Sequence, residues 1–277
     1  MIIQIVVLCA VILVVIFILM LSSIDRFISK VLFQPTRYNQ DLPDETYREV
    51  YFKNSKKQKL HGVFFPFQVI RPNESPVGTI LYLHGIGGNI SQMLELGKLR
   101  SAINYNIFIF DYAGYGKNEG KPTTSSILDD GLAALTFLNQ QEEIPTNRII
   151  IYGVSLGGSI AIDLASKHKC KALIVESTFT SLVDMGYRIL NSFIRFLCQF
   201  FMREKLESIK KIKNVYCPVF ISHGCADEAI PFEQGQRLFS AANEPKMFFI
   251  PPKGMDYHCA PYSNEHKETL KRFIESL

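Results

Sequence analysis

The sequence predicts an α/β fold, a mostly parallel, doubly wound sheet with helices on both faces. Two observations carry this expectation. From residue 47 onward, short and continuously apolar β-type runs alternate with longer stretches of helical periodicity. Strands apolar on both faces belong in a parallel sheet covered on both sides. A third observation sets off the N-terminus, where residues 1–21 carry no charged side chain. The 256 residues left from 277 after those 21 hold all 30 Lys+Arg and all 26 Asp+Glu, enough chain for a full core.

Residues 2–21 are apolar except for Gln4. At a helical rise of 1.5 Å, twenty residues reach about 30 Å, the thickness of a bilayer core. Each Leu, Ile, Val or Phe favours insertion by about 0.3–0.6 kcal/mol. A retained single transmembrane anchor over 1–21 is therefore expected. A cleaved signal peptide fits less well, because no Lys or Arg precedes the run and Ser22-Ser23 is only a partial cleavage site. Arg26, Lys30 and Arg37, against Asp25, follow the span and lean the large domain toward the cytoplasm. Cys170, Cys198, Cys217, Cys225 and Cys259 are odd in number and show no disulfide spacing, which leans the same way.

Residues 22–46 are expected to form a juxtamembrane segment and 47–277 the main domain. Residues 47–53 and 60–65 read as two strands joined by a polar turn. Residues 79–83 form an apolar run ending in His84-Gly85. A helix over 91–102 follows, with Ser91 as its N-cap, then a strand over 107–111 and a helix over 124–140. Residues 148–152 read as a strand and 156–168 as a helix. Strands over 172–175, 218–222 and 246–250, with helices over 232–241 and 262–276, complete the series. The rhythm breaks between 178 and 213, where an Ile-, Leu- and Phe-rich stretch and a charged one replace a single helix. A small helical cap over the strand ends is expected there.

The chemistry-bearing motif is Gly153-Val154-Ser155-Leu156-Gly157, a G-x-S-x-G between a strand and a helix. Glycines flank the serine because a β-carbon there would strike the neighbouring helix or strand. Ser155 is then exposed at a helix N-terminus, whose partial positive charge favours a developing oxyanion. A free serine is a weak nucleophile and needs a base. His258, in the loop after the last strand, is the expected base, with His266 as runner-up. His84 and His223 precede glycines at strand ends and read as structural. The acid that holds the base is expected at Asp227, with Glu176 as the alternative one strand earlier. Asp111 reads as structural. Backbone N–H groups of Leu156 and Ile86 are the expected oxyanion donors, the second from the loop His84-Gly85-Ile86-Gly87-Gly88.

Together with Asp111-Tyr112-x-Gly114-Tyr115-Gly116 and His223-Gly224-x-x-Asp227, these residues resemble the α/β-hydrolase superfamily. More narrowly they resemble its membrane-anchored domain-containing serine hydrolases, as does Phe33-Gln34-Pro35-Thr36-Arg37 after the anchor. The resemblance implies an α/β-hydrolase fold with a small helical cap. It also implies a triad in the chain order Ser155, Asp227, His258, and cleavage of esters, thioesters or peptides. The sequence departs from many relatives in Ile86, where a polar residue is common, and in the spacers before His258.

The expected function is that of a membrane-anchored serine hydrolase acting on carboxylic esters or thioesters, with a lipid-like acyl substrate and the bilayer as partner. No metal is expected, since no Cys/His cluster has ligand spacing, and no organic cofactor, since hydrolysis through an acyl-enzyme needs none. A net charge of +4 argues against a nucleic-acid partner. Two rivals remain. One is a peptidase of aminopeptidase type, in which Glu176 binds a substrate amine. The other is a non-catalytic binding protein.

Overall fold

The computed structural model describes residues 2–33, 35–37, 47–67, 75–92, 103–141, 144, 146–189, 204–252 and 264–277. Eight strands form one sheet: β1 (Arg48–Lys53), β2 (Lys59–Phe65), β3 (Gly78–Leu83), β4 (Tyr105–Phe110), β5 (Ile149–Val154), β6 (Ala172–Glu176), β7 (Val219–Ser222) and β8 (Lys246–Phe249). Their spatial order is β1-β2-β4-β3-β5-β6-β7-β8. β2 runs antiparallel to β1 and β4, and the pairs from β4 to β8 are parallel. The predicted strands all appear, with ends shifted by two residues or fewer.

The apolar runs explain the layers. In β5, Ile149 and Ile151 face one core cluster while Ile150 and Tyr152 face another. The first face is covered by α2 (Thr124–Asn139), α3 (Leu156–Lys167) and α6 (Phe232–Ala241), and the second by α7 (Asn264–Glu275). Each fully buried Ile or Leu contributes about 1.5–3 kcal/mol relative to exposure. α2 begins at a capping box, in which Thr123 and Ser126 satisfy each other's backbone N–H groups.

From β3 the chain moves outward to β4, then returns past β3 to β5 and continues the other way. The crevice between the carboxyl ends of β3 and β5 is therefore a topological switch point, where the loops after the two strands diverge. Leu83 pairs in register with Gly153, so His84 onward lies beside Ser155.

The N-terminal helix α1 runs from Ile2 to Leu32, beyond the span predicted to end at residue 21. Its last third carries Asp25, Arg26 and Lys30 and continues helically, with the Ser23 hydroxyl donating back to Leu19 O at 2.8 Å. Among the described residues no helix is long and apolar enough to cross a membrane. Residues 7–19 of α1 span about 20 Å along the helix axis. Its large apolar side chains are exposed, from Val7 at 56% to Leu19 at 57%. Phe33, directly after α1, is buried in the main core.

Of the expected cap, α4 (Leu182–Ile189) and the short α5 (Ser208–Lys211) are described. The apolar middle, 190–203, lies outside the described residues, as does most of the helix expected over 91–102. Lys211 returns the segment to α3 through an ion pair with Asp163 at 2.8 Å. Two of the five cysteines that looked unpaired are neighbours: the Cys170 and Cys217 thiols, ahead of β6 and β7, lie 3.3 Å apart.

Candidate active site

The turn from β5 to α3 places Ser155. Its backbone is at φ 54° and ψ −119°, a conformation that L-residues adopt only under constraint. The constraint is steric. A β-carbon on Gly153 would strike the Gly157 carbonyl, and one on Gly157 would strike Leu83 O, so only glycine lets β3, β5 and α3 meet this closely. Hydrogen bonds complete the hold. Ser155 N donates to Glu176 O at 2.9 Å, and the Thr178 hydroxyl donates to Ser155 O at 2.7 Å. Ser155 sits at the N-cap of α3, yet its side chain makes no capping hydrogen bond. The residue is half-buried, and its hydroxyl is left free of the cap. Leu156 opens the helix, so its N–H is one of the donors that a helix leaves without an internal partner.

The loop after β3 abuts the serine. A β-carbon built on Gly85 would lie 3.4 Å from Ser155 Cβ. His84, fully buried, holds this loop from beneath: its Nδ1 donates to Gly85 O at 2.8 Å. A trans peptide points its N–H opposite its carbonyl, so pinning Gly85 O fixes the direction of the Ile86 N–H. Burial holds the His84 pKa down to about 4, and the ring is a neutral donor at physiological pH. Two tyrosines brace the same loop. Tyr112 donates to His84 O at 3.0 Å and Tyr115 donates to Ile86 O at 2.9 Å. Asp111 accepts from Ile90 N at 2.9 Å and lies 3.6 Å from His84 Nε2, a structural position as expected.

Asp227 lies past β7 and is buried. Its Oδ1 accepts from Ala229 N at 2.9 Å and Ile230 N at 2.8 Å. Its Oδ2 has no hydrogen-bond partner among the described residues. His223 Nε2 is 3.5 Å from that oxygen, but the ring donates from Nε2 to Ile230 O at 2.9 Å. Burial lowers the His223 pKa, so this ring is a neutral neighbour. A buried carboxylate with one oxygen committed to backbone and one still available suits the holding of an incoming imidazole. His258, the expected base, lies outside the described residues.

The runner-up base and alternative acid go elsewhere. His266, on α7, is buried with Nε2 2.6 Å from Glu176 Oε1. The Tyr152 hydroxyl donates to the same carboxylate oxygen at 2.6 Å. Glu176, 3% exposed, faces the core on the α7 side of the sheet with these two. It is therefore not presented as a ligand for a substrate amine, which corrects the use the aminopeptidase rival made of it. Sequence reasoning missed Thr178, the tyrosine braces and the pinning role of His84. Tyr112 and Tyr115 were part of a recognised motif, but nothing local shows which carbonyl a tyrosine will reach.

A serine on a strained strand–helix turn, at the switch point of a sheet in this order, is the arrangement of the α/β-hydrolases. The chain belongs to that superfamily: the family described as serine aminopeptidase, S33, matches residues 74–213. Among its relatives, "Alpha/beta hydrolase domain-containing protein WAV2" of Arabidopsis thaliana is 32% identical over 229 residues, 76% of this chain and 72% of the relative. Protein bem46 of Schizosaccharomyces pombe is 32% identical over 225 residues, 78% and 73% of the two chains. The fold is shared with a Pyrococcus furiosus esterase at TM-score 0.70 and 18% identity, covering 88% of this chain and 98% of that one. It is also shared with an acetyl xylan esterase from a Paenibacillus species at TM-score 0.64 and 18% identity, covering 86% of each.

Proposed function

We propose that the protein is a serine hydrolase that cleaves carboxylic esters or thioesters through an acyl-enzyme. The observation that carries the reading is Ser155, held at positive φ with its hydroxyl free of the helix cap. Strain of roughly 1–3 kcal/mol at one residue persists only where the surroundings enforce it, and such residues cluster at functional sites. The esterase structures that share the fold support the same class.

In this scheme Ser155 Oγ attacks the acyl carbonyl while His258 removes its proton. The N–H groups of Leu156 and Ile86 bind the oxyanion that forms. His258 then protonates the departing alcohol or thiol, and a water activated by His258 hydrolyses the acyl-enzyme. Asp227 keeps the imidazole in the required tautomer and stabilises it when protonated. No cofactor enters these steps. The N-terminal part of α1 acts as a single-pass membrane anchor, with the domain of residues 47–277 on the cytoplasmic side and residues 178–213 capping the site. Its support is the uncharged run of residues 1–21 and the exposed apolar side chains of α1. An anchored enzyme with an apolar cap meets acyl chains of lipid type.

The test is hydrolysis of p-nitrophenyl esters from acetate to long-chain acyl groups, alongside aminoacyl-amide reporters. Ester turnover that rises with chain length is expected. Turnover confined to the aminoacyl amides would favour the peptidase reading instead.

A further inference from the structure

The segment that leaves α1 does not pass over the body as a free linker. Phe33 is 5% exposed and packs in the main core, which fixes the chain at the end of the helix. Thr36 and Arg37 then lie across two loops at once. On one side is the tyrosine loop, residues 112–118. Gly116 N donates to Thr36 O at 2.8 Å, and Arg37 Nη1 donates to Gly116 O at 3.2 Å and Asn118 O at 2.6 Å. On the other side is the glycine loop, residues 84–89. The buried Asn89 amide donates to Thr36 Oγ1 at 2.9 Å and to Arg37 O at 3.1 Å. The two loops meet at Ile86, whose carbonyl accepts from Tyr115.

We propose that Thr36 and Arg37 are positioning residues for the oxyanion donor at Ile86, and that through them and Phe33 the N-terminal helix is mechanically coupled to the active site. The inference rests on the serine-hydrolase reading above. Its physical basis is the composition of the loop. Gly85 allows close approach to the serine, and Gly85, Gly87 and Gly88 together leave the loop with more conformational freedom than other residues would. Ties from outside the loop must supply the rigidity. A donor displaced by about 1 Å can cost as much as a hundredfold in rate. Arg37 supplies a planar, permanently charged donor to two carbonyls of one turn, which a lysine reproduces only in part. The sharing of Asn89 between Thr36 and Arg37 makes the strap continuous from the tyrosine loop to the glycine loop.

The experiment compares full-length wild type with Arg37→Ala, Arg37→Lys and Thr36→Val in detergent micelles. It measures kcat and KM on a p-nitrophenyl ester, the rate of fluorophosphonate labelling and the melting temperature. The proposal predicts that Arg37→Ala lowers kcat and labelling rate roughly ten- to a hundredfold, with KM within about twofold and little change in melting temperature. Arg37→Lys falls between, and Thr36→Val loses a few-fold. Where Arg37→Ala does not fold, Arg37→Lys and Thr36→Val decide the matter. Active wild type with wild-type kcat in the folded variants overturns the strap alone. So does a loss of kcat that follows the melting temperature and is recovered fully on cooling. A folded wild type that neither labels nor turns over ester overturns the serine-hydrolase reading and the strap with it.

Discussion

Ser155 and Asp227 both sit just past the carboxyl end of a strand in the same sheet, yet their surroundings hold them by different means. At Ser155 the hold is chiefly repulsive, with backbone hydrogen bonds to Glu176 and from Thr178 completing it. Backbone atoms of Leu83 and Gly157 occupy every position where a β-carbon on Gly153 or Gly157 would go, and the serine is forced to φ 54°. At Asp227 the hold is attractive. Two backbone N–H groups grip one carboxylate oxygen and leave the other to a partner. Steric specification tolerates no added atom. Hydrogen-bond specification tolerates an isostere that keeps the acceptor, so at Asp227 fold and chemistry can be separated.

The largest expected effect tests the steric half. Gly157→Ala places a β-carbon against Leu83 O, where neither backbone can yield without shifting β3 or α3. A loss of more than about 4 kcal/mol, seen as insoluble protein or a collapse in melting temperature, is predicted. A folded Gly157→Ala with near-native stability would break the contrast. Next is Asp227→Asn, which keeps an oxygen for Ala229 N and Ile230 N but, in the proposed triad, would present an amide to the His258 imidazole. Unchanged melting temperature with kcat lowered roughly a thousandfold or more is expected. Equal losses in stability and activity would place Asp227 with the structural residues.

How much was legible follows the same division. The serine turn between β5 and α3 could be read because its determinants, two glycines, a serine, a strand before and a helix after, lie within a few consecutive residues. The strands could be read because burial on both faces makes them continuously apolar. The sheet order could not, since pairing β3 between β4 and β5 is a long-range outcome with no local signature. Nor could the fate of Glu176, which the sequence leaves as a candidate acid and which Tyr152 and His266 hold on the α7 side. Cys170 and Cys217 are 47 residues apart in the chain, so their contact was equally unreadable.

A third prediction concerns pH and two buried groups flanking the loops. His84 is held at about 4 by burial, below its ordinary 6.5. Its contribution to stability is complete above about pH 6.5 and is lost as pH falls toward 4, by about 3 kcal/mol in all. Asp130, buried beside Asn54 and Ala113 N, is raised from 3.8 to about 6, chiefly by burial. Its ionisation penalty is full above pH 6 and is relieved as pH falls to 3.8, by about 3 kcal/mol in the opposite sense. These two contributions offset each other between pH 6 and 4. Asp130→Asn removes one of them, so denaturant titrations of the variant should lose stability on acidification more steeply than wild type. Parallel pH profiles for the two proteins would contradict this.

The smallest expected effect is at the braces. Tyr115→Phe removes the hydroxyl bonded to Ile86 O, at a cost of about 1 kcal/mol. A few-fold fall in kcat is expected, and an unchanged kcat would show that the remaining ties fix the loop without Tyr115.

The central claim is that the strained serine is an activated nucleophile. Its most direct test is fluorophosphonate labelling with peptide mapping, on wild type and on Ser155→Ala, Asp227→Asn and His258→Ala. A single labelled residue, Ser155, is expected, with labelling lost in Ser155→Ala and slowed in the other two. A folded wild type that takes no label, or takes it at another residue with Ser155→Ala labelled equally, would contradict it.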